Sequence, residues 1–255
     1  MMLAPRQTQT YSRFCIMNKL FLIVFLWLLS LPIFAQFPLQ KDLPLSYLVS
    51  QPKTKTSKPG LLILLHGYGS NEADLFSLRE MLPSDFFIMS VRAPMALAPN
   101  AYQWFRSETI KGVKGGNLKD LETNSDLIKA FIKGAVKKYK ADPSQVYLIG
   151  FSQGAMMSFE VGLTSPELLR GIAPLSGRIF ESLRPNIKPS SAFKNFKIFI
   201  GHGTTDEKVL YHYATEAVSI LKEKQIPAVL HTYQGMPHSI NEQEINDLIK
   251  WLKEK

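Results

Sequence analysis

A chain of 255 residues is long enough to bury a sizeable core, and 45% hydrophobic with 20% charged residues excludes a wholly disordered protein. The formal charge is +9, but the lysines are scattered (Lys53, Lys58, Lys111, Lys137) and form no basic stripe interleaved with aromatics, so nucleic acid is not an expected partner. The only cysteine is Cys15, which excludes an intrachain disulfide.

The first element in chain order is an address. From Met17, "MNKLFLIVFLWLLSLPIFAQ" supplies a short basic start with Lys19, an apolar stretch from Leu20 to Leu29 and a small residue, Ala35, at a cleavage point. The stretch is shorter than the roughly 20 apolar residues of a membrane-spanning helix before Pro32 interrupts it, so export with cleavage is expected and no lasting membrane anchor. Residues 1–16 precede a second possible start at Met17 and are read as an extended or mis-called beginning; residues 1–35 are thus set apart from a single folded domain over 36–255. Cys15 precedes the apolar stretch and cannot be the lipidated residue that follows a lipoprotein signal. Removal of the segment takes away Arg6, Arg13 and Lys19, leaving 27 basic against 21 acidic residues, or +6, and no cysteine for thiolate catalysis or a zinc-thiolate site.

Beyond the linker "QPKTKTSKPG", apolar runs alternate with helical patterns. "LSYLVS" (45–50) alternates in polarity and is predicted to be an antiparallel edge strand. "LLILLHGYGS" opens with a strand-length apolar run, the signature of a parallel strand buried on both faces. The same pattern recurs near 86–92, 146–152, 171–177, 197–203 and 228–235. Between these runs, "NEADLFSLREML" is predicted to be a helix capped by Ser70 or Asn71. "LETNSDLIKAFIKGAVKKY" aligns Leu127, Ile128, Phe131, Ile132 and Val136, and ends before Pro143. "GAMMSFEVGL" is apolar nearly all round and should be a buried helix, "ATEAVSILKEKQI" gives another, and the last carries Ile245, Leu248, Ile249 and Leu252. Strands alternating with helices imply an α/β fold whose mostly parallel central sheet is covered on both faces.

Chemistry concentrates in "LIGFSQGAMM". Here Gly150-Phe151-Ser152-Gln153-Gly154 fits G-x-S-x-G between a buried strand and an apolar helix, the setting of a nucleophile elbow. A serine at a strand-to-helix turn can also be a simple cap. A serine nucleophile needs a base, and that base needs a third group to hold its tautomer. Five histidines are available. His231 in a strand and His212 in a helical run suit packing or surface roles; His66 and His202 follow strands in "HG" pairs and suit loop hydrogen bonding. His238, in "YQGMPHSI", lies in the loop between the last strand and the last helix, beyond the carboxyl ends of the strands where active sites form. Asp206, in "GHGTTDEKV", occupies the loop after the preceding strand; Glu207 is its rival, and Asp206 fits better because the strand ends earlier. Negative charge developing on a substrate carbonyl needs fixed donors, expected from the backbone N–H of Gln153 and that of Tyr68 in "HGYG".

"LLHGYGSNEADL", "GFSQGA", "HGTTD" and "GMPHSI" together resemble the motifs of the phospholipase/carboxylesterase family of α/β-hydrolases, the small cap-less group that includes acyl-protein thioesterases. The resemblance spans about residues 40–255 and implies the α/β-hydrolase fold without a cap domain. It further implies hydrolysis of small carboxylic esters, thioesters or lysophospholipids through Ser152, His238 and Asp206, with no metal or organic cofactor. Two departures stand out. Glu207 and Lys208 follow Asp206 where relatives often have proline and small apolar residues, and "AYQWFRSE" lacks an arginine before its aromatic pair, so substrate contacts do not carry over. Trp104 and Phe105 are candidates for the wall of an acyl pocket, core packing being the alternative. Two other readings remain open at this level: a binding protein on a hydrolase scaffold that has lost catalysis, and a small peptidase of the same fold.

Overall fold

The structure, a computed structural model, describes residues 37–110 and 112–254. The expected export segment, with Cys15 and the cleavage point at Ala35, lies outside them.

Most of the apolar runs become strands because their residues satisfy two cores at once; the run near 228–235 does not satisfy both, its strand lying at the edge of the sheet with Val229 exposed. Among the described residues, seven strands form one sheet in the order β1-β3-β2-β8-β9-β10-β11. They are β1 (Tyr47–Ser50), β2 (Gly60–Leu65), β3 (Phe86–Val91), β8 (Val146–Phe151), β9 (Gly171–Leu175), β10 (Lys197–Gly203) and β11 (Val229–Tyr233). All neighbouring pairs are parallel except β1 with β3, which is the antiparallel edge expected from the alternation in "LSYLVS". The chain numbering is completed by two hairpins between β3 and the long helix that follows: β4 (Met95–Ala98) with β5 (Ala101–Gln103), and β6 (Ser107–Ile110) with β7 (Val113–Gly116).

Successive side chains of a strand point to opposite faces, and the two cores follow that period. Leu61, Ile63, Leu65, Leu148, Ile172 and Ile198 pack on one face against α2 (Leu118–Tyr139), α3 (Gln153–Thr164) and α4 (His212–Glu223). Leu62, Leu64, Tyr147, Ile149, Ala173 and Phe199 pack on the other against α1 (Ala73–Phe76) and α5 (Glu242–Lys253). Among the described residues, no helix is long and apolar enough to cross a membrane.

The helices differ from expectation at their ends. The helix predicted over 71–82 is a single α turn, α1, followed by a 3-10 turn over Ser77–Glu80. The Ser77 hydroxyl donates to the Asp74 carbonyl at 2.6 Å, offering that carbonyl a local partner and tightening the turn. Its cap position is Glu72, whose carboxylate instead pairs with Arg92 at 2.5 and 2.6 Å; Asn71 accepts from the Ala73 N–H at 2.9 Å. Helix α2 begins earlier than its apolar stripe because Asn117 accepts from the Asp120 N–H at 3.1 Å. In α5, Trp251 joins the buried stripe while Ile249 is half-buried.

Candidate active site

Ser152 stands between β8 and α3 with φ 55° and ψ −114°, a conformation that a non-glycine residue holds only when its surroundings enforce it. Its surroundings do. A Cβ at Gly154 would lie 2.0 Å from the Leu65 carbonyl oxygen, so the start of α3 is pressed directly on β2. The Ser152 N–H donates to the Leu175 carbonyl at 2.9 Å, tying the turn to the end of β9. Helix α3 is buried nearly all round, as its composition predicts, and its first turn carries no acidic residue that would pull the turn outward.

Two loops converge on this serine. A Cβ at Gly203, the last residue of β10, would lie 2.0 Å from the Met236 carbonyl oxygen, so only glycine lets the loop after β10 meet the loop after β11. The Thr205 N–H donates to that same carbonyl at 3.2 Å, and the Gly235 N–H donates to Thr204 Oγ1 at 2.9 Å. Asp206 and His238 are thereby fixed side by side. His238 Nδ1 lies 2.7 Å from Asp206 Oδ2, and His238 Nε2 lies 3.0 Å from Ser152 Oγ.

The charge state of Asp206 assigns the tautomer. Burial pushes its carboxyl up, but the bond from His238 and the N–H groups of Val209 and Lys208 on Oδ1, at 2.8 and 2.9 Å, outweigh burial and hold it below the usual carboxylate range. An ionised Asp206 only accepts, so His238 donates from Nδ1, which leaves Nε2 free to accept the Ser152 hydroxyl proton. Glu207, the rival acid, is exposed, while Asp206 is buried.

Gln153 and Tyr68 both line the cleft above Ser152, which has a volume of about 1110 Å³. Gln153 opens α3, so its N–H has no carbonyl four residues back within the helix and is available to an oxyanion. The Gln153 side chain has a second role that the motif does not announce. Its Oε1 accepts from the Trp104 N–H at 2.9 Å and its Nε2 donates to the Phe105 carbonyl at 2.9 Å, so one buried amide clamps the loop after β5 to the elbow. This separates the aromatic pair. Phe105 lines the cleft, whereas Trp104 is wholly buried, its indole N–H donating to the His66 carbonyl at 2.8 Å, and it braces the floor without lining the cleft.

Two of the remaining four histidines hold loops in place. His66 is buried, with Nδ1 2.7 Å from the Gly67 carbonyl and Nε2 accepting from the Ala93 N–H at 3.1 Å; burial lowers its pKa and keeps it neutral. His202 Nε2 donates to the Val209 carbonyl at 2.7 Å beside Asp206, and burial lowers its pKa too. His231 stacks on Phe199 at 4.2 Å, and His212 is exposed at the start of α4. Among the described residues, no group of three or more His, Cys, Asp or Glu side chains is placed to hold a metal ion.

A serine in a strained strand-to-helix turn, bonded to a histidine that is itself oriented by a buried carboxylate, is equipped for acyl transfer. Comparison with known proteins agrees. The family model described as Phospholipase/Carboxylesterase matches residues 47–255. Acyl-protein thioesterase 1 of Mycosarcoma maydis is 31% identical over 235 residues, covering 82% of this chain and 96% of that protein. The crystal structure of esterase PE8 superposes with a TM-score of 0.67 at 29% identity, over 80% of this chain and 96% of that one. The Bacillus cereus carboxylesterase superposes with a TM-score of 0.68 at 25% identity, over 81% and 92%.

Proposed function

Because the chain belongs to the phospholipase/carboxylesterase family of α/β-hydrolases, and is thus a serine hydrolase of esterase type, we propose that Ser152, His238 and Asp206 are its catalytic triad and that it cleaves carboxylic esters or thioesters. The observation that carries this reading is the continuous chain from Ser152 Oγ to His238 at 3.0 Å and from His238 to Asp206 at 2.7 Å.

As Ser152 Oγ bonds to the substrate carbonyl carbon, its proton passes to His238 Nε2 and the carbonyl electron pair moves onto oxygen. The backbone N–H groups of Gln153 and Tyr68 hold that oxyanion, and Asp206 stabilises the imidazolium without taking its proton. Collapse expels the alcohol or thiol, which leaves with the proton from His238. Water then attacks the acyl-serine by the same route, releasing the carboxylic acid and restoring the enzyme. Phe105 gives the acyl chain an apolar wall on the cleft.

The test is Ser152→Ala on a small chromogenic ester, with fluorophosphonate labelling of the unsubstituted protein. Stoichiometric labelling at Ser152 and loss of turnover in the variant are expected, and full activity in the variant would sink the assignment.

We also propose that the protein is exported with cleavage after Ala35, on the strength of the apolar stretch from Leu20 to Leu29. Mass spectrometry of the protein from its native source should find Gln36 at the N-terminus.

A further inference from the structure

The segment that carries the Tyr68 N–H is a tight turn laid against the elbow. A Cβ at Gly67 would lie 3.3 Å from Phe151 Cδ1 and 3.4 Å from Ser152 Cβ, so the turn begins in contact with the serine. The Ser70 N–H donates to the Gly67 carbonyl at 3.3 Å, and Gly69 takes φ 76°, the conformation that the third residue of a type II turn requires. Between them, the Tyr68 N–H has no hydrogen-bond partner among the described residues and stands on the cleft with Ser152. Such a donor serves an oxyanion only if its position is fixed before the charge develops.

Two consecutive residues after β3 grip both ends of this segment. At its start, the Ala93 N–H donates to His66 Nε2 at 3.1 Å. At its end, the Arg92 guanidinium donates to both carboxylate oxygens of Glu72, from Nε at 2.6 Å and from Nη2 at 2.5 Å. The same arginine reaches the far flank of the turn, its guanidinium carbon 4.7 Å from the Tyr102 ring centroid. There the Tyr102 carbonyl accepts from the Gly69 N–H at 2.8 Å, and the Tyr102 N–H donates to the Ser70 carbonyl at 2.9 Å.

Glu72 is buried and Arg92 half-buried. Burial pushes the Glu72 carboxyl up, but the bonds from Arg92 outweigh it and hold it below the usual carboxylate range, so the pair is ionised. A two-bond fork fixes the direction as well as the separation of its partners, which a point charge does not. Neither residue lines the cleft, so an effect of the pair on the reaction has to pass through the turn.

We infer that the Glu72–Arg92 pair positions the oxyanion-binding turn, so that its loss slows the chemical step while substrate binding is kept. This rests on the esterase reading, with the Tyr68 N–H as one oxyanion donor, and adds two positioning residues that touch no substrate.

The experiment measures kcat and KM on a small chromogenic ester, per site titrated with fluorophosphonate, so that misfolded protein is not counted. Glu72→Gln is the first variant because the charge it leaves, on half-exposed Arg92, can be solvated. It should lower kcat about 10-fold and change KM less than about twofold, a smaller loss than the roughly 10²- to 10³-fold of removing an oxyanion donor outright. A trifluoromethyl ketone, which bonds to Ser152 Oγ and places an oxyanion on the donors, should bind about 10-fold more weakly, while the matching methyl ketone, bound without that adduct, should change less than about twofold. Arg92→Lys should lose less than Glu72→Gln, because the charge remains without the planar fork. Unchanged kcat, or a loss that falls on KM and on both ketones alike, overturns the inference and leaves the esterase reading intact. Absence of fluorophosphonate labelling and of ester turnover in the unsubstituted protein removes the esterase reading and this inference with it. If Glu72→Gln does not fold, Arg92→Lys decides: kcat and fluoroketone affinity should both fall about threefold at unchanged KM, and unchanged kcat overturns the inference.

Discussion

Gly150 and Gly154 stand so close across the elbow that a Cβ at Gly150 would lie 2.1 Å from the Gly154 carbonyl oxygen. Both neighbours of that contact are backbone, which cannot swing away as a flexible side chain does. Gly150→Ala and Gly154→Ala should each therefore destabilise the fold by about 3 kcal/mol or more, the upper end of overpacking costs. Thermal unfolding checks this against Gly69→Ala, where a Cβ meets nothing within 4 Å and only the φ of 76° opposes the change. A loss at Gly150 and Gly154 no greater than at Gly69 contradicts the close approach.

Strain at Ser152 separates stability from activity. Ser152→Gly should remove the penalty of φ 55° and raise stability by about 1 kcal/mol after the flexibility gained by the unfolded chain is subtracted. Ser152→Ala keeps the Cβ and should leave stability nearly unchanged. Both should lower kcat on an ester by about 10⁴-fold or more, because the proposed nucleophile is gone. Urea midpoints beside rate measurements test the pair, and equal stabilities for Gly and Ala would show that the turn is not strained.

The acid can be distinguished from its neighbour. Asp206→Asn retains the shape but no longer fixes the His238 tautomer, and should reduce kcat by about 10⁴-fold. Glu207→Gln should stay within about threefold on a neutral ester, since Glu207 is exposed and the carboxylate that meets His238 is Asp206. Steady-state kinetics with a small chromogenic ester give the comparison, and the opposite ranking would move the acid to Glu207.

What was legible in advance had local causes. Continuous apolar runs such as "LLILL" and "VYLIGF" announce strands because both faces of each are covered, and the G-x-S-x-G pattern announces the turn because close backbone approach demands glycine. What was not legible depended on partners distant in the chain. The bonds from the Gln153 amide reach Trp104 and Phe105, 49 and 48 residues away, and nothing in the elbow motif signals them. The break after α1 turned on one hydroxyl, that of Ser77, inside an otherwise helical pattern. Trp104 and Phe105 read alike in sequence; which one faces the cleft was decided by the Trp104 indole reaching the His66 carbonyl.

Gln153→Ala tests the clamp directly. The substitution keeps the backbone N–H that would hold an oxyanion but leaves the buried Trp104 N–H and Phe105 carbonyl without their side-chain partners. Stability should fall by about 2–4 kcal/mol, from two buried groups left unsatisfied. Gln153→Glu should not restore it, since a carboxylate cannot donate to the Phe105 carbonyl. Chemical denaturation of both variants, with tryptophan fluorescence reporting on Trp104, checks the loop, and unchanged stability in Gln153→Ala would exclude the clamp.

Glu244 sets a pH dependence opposite to that of the active-site carboxylate. It is fully buried in α5, and neither carboxyl oxygen has a hydrogen-bond partner among the described residues. Burial, with the nearby Asp247 charge, pushes its pKa up to about 8. In the unfolded chain the group ionises near the ordinary glutamate value of about 4.3, so between these limits the folded state holds a proton that the unfolded state has lost. Stability from this group is therefore fully present below the unfolded value and is lost as pH rises through about 8. Asp206, depressed below the usual range, contributes in the other sense: its stabilisation is present above the unfolded value and is lost in acid. Glu244→Gln removes the first effect alone. Its urea midpoint should change little between pH 5.5 and 8.5, while the unsubstituted protein loses about 2–4 kcal/mol over that window and becomes the less stable of the two at the alkaline end. Parallel curves for the two proteins would mean that Glu244 is already ionised in the fold, with a partner for its charge.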